Sequence, residues 1–576
     1  MGNADTRCTA HLGLAASLFT LVGCYVPVER GSFDSMGPDP AGQDAPPGGD
    51  DPAADGDDGA ADEAPPAPRA QLRRLTRAQY AGAIADLVGD AEPFGAETPP
   101  LDPDLVVDLY TNVGATTVTT SELATEQFET AASLVAATAF ADADAAAALV
   151  GCDPAAADCL HDFASAFARR AFGRPLAADE VESYAATGQD VAVLRDDPWA
   201  GAEAIVAAVL ASPSFLYLAE IGEPDPDHPD RWRFTSLEMA RRLSFTIWGS
   251  IPDEELLLLG ESGALVMPDT INEQAARMMA DPRARGGIGR FVAEWLGADA
   301  LAGLTKDPDV FPDASPELFA SMRGELTRLA ESIALHPERS MLALLDAEET
   351  FVDARLAAHY GIEPPTEVDA EGFGAVPWGA QSPRRGVLGT AGILAAQSRR
   401  TRTAPTLRGI YVQTRLRCVE VAPPPPDAAM DIPDDAGDPG TAATVRERLE
   451  EHRENPACAA CHDIVDPIGL ALELFDAIGR YRDTDAGLPI DDTAELDGEP
   501  LEGIGGLTEL LRADPVVAAC VVRQLYRFST GHRERADEEA TIDALAASFE
   551  QVDFNLVQFL PQLVSSAAFR TLATPE

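Results

Sequence analysis

Apolar side chains first cluster at Leu12 to Gly23, a run of about a dozen residues, too short to cross a bilayer as a helix and suited to a signal-peptide core. They then nearly vanish. From Val28 to Ala70 the chain is Pro, Gly, Ala and Asp, as in Gly37-Pro38-Asp39-Pro40, and cannot offset the entropy of ordering; it reads as a flexible, self-repelling tether. Helical periodicity starts at Gln71. Thr76 and Gln79 have capping-box spacing, and Tyr80, Ile84, Leu87 and Val88 share one face before Gly89. A second helix opens at Ser121 with Leu123, Phe128, Leu134 and Val135, and Phe163, Phe167 and Phe172 lead into Ala171-Phe172-Gly173-Arg174-Pro175-Leu176, a helix end.

Further helices are predicted over Ala202 to Leu218, Phe234 to Trp248, Phe291 to Leu296 and Phe351 to Gly361. Glu238 with Arg241 or Arg242 reads as a solvated charged face rather than a site. His359, just before Gly361, reads as a helix C-terminal residue favouring the dipole, with a ligand role as the alternative. After Arg384 the character changes. A helix runs to Cys418, Pro423 to Pro426 form a stiff segment, and another helix passes Val445, Leu449 and His452.

The pattern divides the chain into residues 1–24, a lipoprotein signal peptide; 25–70, an acidic tether; helical modules at 71–150, 151–225 and 226–365; a cofactor module at 380–485; and a closing helical module at 495–576. The fold class is mainly α and multi-domain. Aromatic residues make up only 6% while Ala is abundant, so helices packed through small residues are favoured over sheet sandwiches. The 42 basic against 96 acidic residues give a net charge of −54, which repels nucleic acid and anionic membranes. Lysine occurs once, as Lys306.

Leu21-Val22-Gly23-Cys24 resembles a lipobox, which makes Cys24 the lipidation candidate, although Arg7 is the one positive residue before the apolar run and Asp5 opposes it. Cys152 and Cys159 flank a short loop, and in an exported chain such thiols are usually bridged; buried thiols, or a metal site with His161 that has too few ligands, are the alternatives. No Gly-x-Ser-x-Gly, His-Glu-x-x-His, phosphate-loop or dinucleotide pattern occurs in the helical body.

One spacing specifies a chemistry. Cys458-Ala459-Ala460-Cys461-His462 is the c-type haem attachment pattern: two thiols one helical turn apart for the vinyl groups, and an adjoining imidazole as the proximal iron ligand. A redox dithiol lacks its βαβ setting, and zinc lacks two further ligands, only His452 lying near. With Cys8 removed, Cys24 lipidated and Cys458 and Cys461 on haem, a bridge between Cys418 and Cys520 leaves no free thiol and ties the last module to the cofactor module.

Around the motif stand Thr403-x-Pro405-x-x-Arg408-Gly409, Pro423 to Pro426, Asp466-Pro467-Ile468-Gly469 and Leu472-Glu473-Leu474-Phe475-Asp476. This order resembles planctomycete-type cytochrome-c-like proteins built from five consecutive domains of unknown function. Arg74-Leu75-Thr76, Ser212 to Tyr217, Ala240 to Phe245 and Phe554 to Phe569 extend the resemblance over most of residues 70 to 570. It implies one covalent haem c and an extracytoplasmic location, and no substrate.

Within that module, the Pro467 carbonyl is a candidate acceptor for the His462 Nδ1–H, a turn proline being the alternative. Arg402 and Arg408 are candidate propionate partners, against ion pairing within an acidic chain. For the sixth iron position His452 ranks first; Met430, an open site or a distant residue such as His532 are the others. Ile468, Leu470, Leu472 and Phe475 are expected to exclude water and raise the potential. The function expected is single-electron transfer in the cell envelope, lipid-anchored, with an unknown redox partner. A haem-dependent oxidoreductase with an exchangeable iron ligand, or an envelope scaffold with structural haem, are the alternatives.

Overall fold

In the computed structural model, which describes residues 71–89, 101–118, 120–226, 228, 231–379, 381–422, 444–453 and 456–572, local sequence signals set most helix boundaries. Strand β1 (Gln71–Arg74) leads into α1 (Arg77–Val88), where Thr76 and Gln79 form the expected reciprocal capping box. Ser121 caps α2 (Glu122–Ala139). Helix α3 (Cys159–Phe172) ends at Gly173 in the left-handed conformation (φ 64°), as the Gly-Arg-Pro sequence requires. A Cys152–Cys159 disulfide staples its start, while His161 lies exposed beside Asp162.

The helix expected over Ala202 to Leu218 is broken. Helix α4 (Pro198–Leu210) stops, Ser212 and Pro213 start one further turn, and the chain straightens into β2 (Tyr217–Glu220). Strand β2 pairs antiparallel with β1, Gln71 opposite Glu220 and Arg74 opposite Tyr217. Helix α5 (Ser236–Ile247) then corrects the reading of its charges. Glu238 is a capping residue that accepts from the Thr235, Ile221 and Gly222 N–H groups at 2.7 to 3.0 Å. Arg242 is not solvated: only 1% exposed, it joins Glu220 at 2.8 Å, with Arg73 on the other side at 3.6 Å. Burial by itself would raise the Glu220 carboxyl, but Arg242 and Arg73 outweigh it and hold it below its ordinary range.

Helices α6 (Ala284–Leu296) and α7 (Pro316–Ala334) follow, then strand β3 (Glu349–Val352), which takes the first residues of the segment expected to be helical throughout. Asp353 caps the short α8 (Ala354–Tyr360), and β3 pairs antiparallel with β4 (Gly374–Pro377). Helix α9 (Ala391–Ala396) is closed by Lys306, whose buried ammonium donates to the carbonyls of Ala395, Ser398 and Arg399. Helix α10 (Pro405–Tyr411) runs into a wider π-helical turn, Val412–Leu416, before Cys418. Then come α11 (Val445–Arg453), α12 (Pro456–Leu470) and α13 (Pro515–Thr530).

The described residues fall in one unit, Ala64–Glu576, which is mainly helical as expected. An N-terminal core gathers Tyr80, Phe128, Phe167 and Phe215. The largest core takes side chains from Tyr110, Val113 and then Phe234 to Leu572, so the modules predicted at 226–365, 380–485 and 495–576 share apolar interior. A Cys418–Cys520 disulfide fastens the segment after α10 to α13. Among the described residues no single helix is long and apolar enough to cross a membrane.

Candidate cofactor-attachment site

Helix α12 carries the whole Cys-x-x-Cys-His pattern and crosses α10 at backbone contact. A Cβ on Gly469 would lie 1.8 Å from the Pro405 carbonyl oxygen, and one on Gly409 1.9 Å from that of Val465. Only glycine fits either position. The two glycines set in the Asp-Pro-x-Gly and Thr-x-Pro-x-x-Arg-Gly motifs are therefore the physical reason those motifs face each other.

The close crossing brings the Thr406 hydroxyl to Asp466, donating to Oδ1 at 2.7 Å. The other carboxylate oxygen, Oδ2, stands 2.9 Å from Nδ1 of His462, one turn back on the same helix. Asp466 is fully buried, while the His462 side chain keeps 17% of its surface. The result is a line Thr406–Asp466–His462 that fixes the plane of the imidazole and, with Nδ1–H donated to the carboxylate, makes Nε2 the nitrogen for a metal. Cys461 is an unbridged, half-buried thiol at the position before the histidine.

An unbridged thiol and an imidazole held through its rear nitrogen by a buried carboxylate fit covalent haem with a histidine ligand. The side chains of Cys458 and of His452, the candidate sixth ligand, lie outside the described residues, as do Cys24, Cys8 and Met430.

The expected role of Pro467 passes to Asp466. Helix α12 continues through the proline to Leu470, so the Pro467 carbonyl points along the helix and accepts from the Ala471 N–H at 3.4 Å. The carboxylate one helical turn from His462 takes its place.

Arg408 is also placed elsewhere than expected. It is 1% exposed and donates to the carbonyls of Leu472, Phe475 and Asp476 at 2.6 to 3.0 Å, to Ser398 Oγ and to Glu473. Burial pushes its guanidinium down to about 10, against the pull of Glu473, so it stays charged at neutral pH. Its two terminal nitrogens shape the turn that follows α12, while its buried Nε finds no hydrogen-bond partner among the described residues. Glu473 accepts from Thr403 Oγ1 at 2.8 Å and Arg482 at 2.6 Å as well, and burial raises its carboxyl against both arginines. Arg402 is half-buried in the preceding loop.

Two other histidines are accounted for. His532 approaches Glu538 through Nε2 at 3.2 Å and its ring packs on Tyr526. His359 donates from Nε2 to the Ile478 carbonyl at 2.8 Å, and burial pushes its pKa down to about 4. It is neutral and so adds no charge to a helix dipole; instead it bonds the chain just beyond the turn that Arg408 holds. The residues expected to exclude water are buried: Ile468, Leu472 and Phe475 in the main core, Leu470 in a small cluster with Val445 and Leu449. Beside that cluster a cavity of about 340 Å³ opens, lined by Val445, Leu470, Glu473, Leu488 and Ile490 among others.

The sequence reading missed Asp466 and Thr406. The four-residue spacing of His462 and Asp466 was available as a signal, but only once the helix was known to pass through Pro467.

Five family models match the chain in succession, each described as a protein of unknown function: DUF1587 over residues 73–141, DUF1595 over 159–220, DUF1592 over 234–362, DUF1588 over 384–485 and DUF1585 over 497–569. The five consecutive domains that the resemblance implied are thus present, and the Cys458 to His462 pattern falls within the fourth. No curated protein and no solved structure matches the chain.

Proposed function

We propose that this chain, built from five consecutive domains of the planctomycete cytochrome-c-like type, carries one haem c on Cys458, Cys461 and His462 and passes single electrons in the cell envelope. The observation that carries this is the buried Asp466 carboxylate on His462 Nδ1, on the helix of the unbridged Cys461. Among the described residues no arginine pairs with Asp466, although Glu473, on the same stretch, has two. A carboxylate buried without a guanidinium is costly unless a cationic centre lies behind the imidazole, and a ferric haem ligated by His462 supplies one.

When bound, the haem supplies a reversible one-electron couple. The residues of the chain do the rest: Cys458 and Cys461 tether it, His462 ligates it, Asp466 and Thr406 orient the imidazole, and Ile468, Leu472 and Phe475 keep water from its surroundings. The apolar run from Leu12 and the Leu21-Val22-Gly23-Cys24 sequence support export and a lipid anchor at Cys24, the side of the membrane on which c-type attachment takes place.

The test is maturation in a host with a periplasmic c-type assembly system. The intact mass rises by one haem, the visible spectrum responds to dithionite, and the Cys458→Ala/Cys461→Ala variant loses both. Colourless wild-type protein with the mass of the polypeptide and lipid alone would overturn the proposal. Bands indifferent to carbon monoxide and cyanide support electron transfer; ready ligand binding points to an oxidoreductase, and no redox response to a structural haem.

A further inference from the structure

We infer that Asp466 sets the redox poise of the site: by accepting the Nδ1 proton of His462 it makes the proximal ligand more basic and holds the centre toward the ferric state. This rests on the haem reading above and goes beyond it, because an electron carrier and a ferric-biased centre suit different partners.

Three observations carry it. The acceptor is a charged oxygen at 2.9 Å, where a backbone carbonyl from Pro467 was expected. A carboxylate draws the Nδ1 proton more strongly than a neutral carbonyl does, and the imidazole gains imidazolate character and donates more density to the metal. The carboxylate has no exposed surface, so water does not screen this interaction. Its partners among the described residues are His462 and the Thr406 hydroxyl alone, so nothing but one neutral donor competes for its charge. The effect opposes the apolar shell of Ile468, Leu472 and Phe475, which by itself favours the ferrous state. A hydrogen-bonded charge at direct contact with the ligand outweighs uncharged walls, and the inferred net potential is low.

A haem held by His462 would take up one electron with no bond made or broken in the chain, and the proton would remain shared between Nδ1 and Asp466 Oδ2. The partner class that follows is a low-potential one-electron donor, with the chain poised to pass that electron on to an acceptor of higher potential.

Thr406 gives the inference a second edge. Its hydroxyl donates to Oδ1 and drains charge from the carboxylate, while the Gly409 and Gly469 contacts hold the helices together without it. Asp466→Asn and Thr406→Val therefore shift the potential in opposite directions. The experiment is a mediated redox titration of the haem-loaded full chain, wild type and both variants, followed by visible absorption. Asp466→Asn is expected to favour the ferrous form at least tenfold, about 59 mV for one electron, and Thr406→Val to favour the ferric form. Haem-loaded Asp466→Asn within twofold of wild type, or shifted toward ferric, overturns the inference and leaves the haem reading standing. If Asp466→Asn takes up no haem, Thr406→Val decides alone: a shift toward ferric supports it, and no shift or the reverse overturns it. Wild-type protein that takes up no haem removes both.

Discussion

Replacing Glu325 by Gln is expected to abolish a pH dependence of stability built into the boundary between the third and fourth domains. Glu325 stands on α7 with no exposed surface, accepting from Thr350 Oγ1 at 2.7 Å and from the Tyr360 hydroxyl at 2.6 Å. The Tyr360 oxygen in turn accepts from the Ala391 N–H, and the Arg384 guanidinium lies 4.2 Å from the centre of its ring. Burial pushes the Glu325 carboxyl from an ordinary 4.5 to about 7, the two hydroxyls and Arg384 only partly opposing it. The folded state thus holds its proton to higher pH than the unfolded chain. The stability this contributes is complete below about pH 4.5 and is lost as pH rises through 7. Each tenfold difference in proton affinity between the two states is worth roughly 1.4 kcal/mol, so the loss amounts to about 3 kcal/mol. Gln keeps the shape and remains neutral, so the variant matches wild type near pH 4.5 and exceeds it by about 3 kcal/mol at pH 8. Hydrogen exchange of peptides covering 321–334 and 349–360, compared between the two proteins at each pH so that intrinsic rates cancel, reads the difference locally. A gap that stays constant from pH 5 to 8, or that narrows as pH rises, would refute the assignment of a protonated buried carboxyl.

Two further outcomes follow from the packing around α12 and α13. Gly469→Ala places a methyl group 1.8 Å from the Pro405 carbonyl oxygen, so α10 and α12 must part and the Thr406–Asp466 hydrogen bond breaks. The cost, about 3 kcal/mol from overpacking and a lost charged hydrogen bond, exceeds the helix propensity gained, and chemical denaturation of the variant against wild type measures it. Removing the Cys418–Cys520 bridge by a double alanine replacement opens a loop with a sequence separation of 102, and a lower denaturation midpoint is expected, corresponding to about 2–5 kcal/mol; an unchanged midpoint would show that packing alone holds α13.

What could be read along the chain was what short-range chemistry decides. The Thr76–Gln79 box, the Gly173 helix end and the Cys152–Cys159 staple each depend on residues within a few positions of one another. The Cys418–Cys520 bridge was reached by elimination among thiols instead of by pattern. Strand β2 was hidden because its partner β1 lies at the other end of the first two domains, and no local periodicity announces four residues of pairing. Buried arginines were hidden for a related reason. Arg242 and Arg408 have the same composition and flanks as solvated ones, and only the arrival of Glu220, or of the turn after α12, distinguishes them. Pro467 was expected to offer its carbonyl to His462, with a turn as the alternative, whereas the helix passes through it and so aligns His462 with Asp466.

Lys306 carries the single lysine amine of the sequence, and that nitrogen is enclosed by three carbonyls at 2.8 to 3.1 Å, with burial lowering its pKa to about 8. Acylating reagents therefore meet a native chain with no reachable side-chain amine. Labelling that appears at position 306 reports that the end of α9 has come open, which makes this protein its own single-site probe of local unfolding.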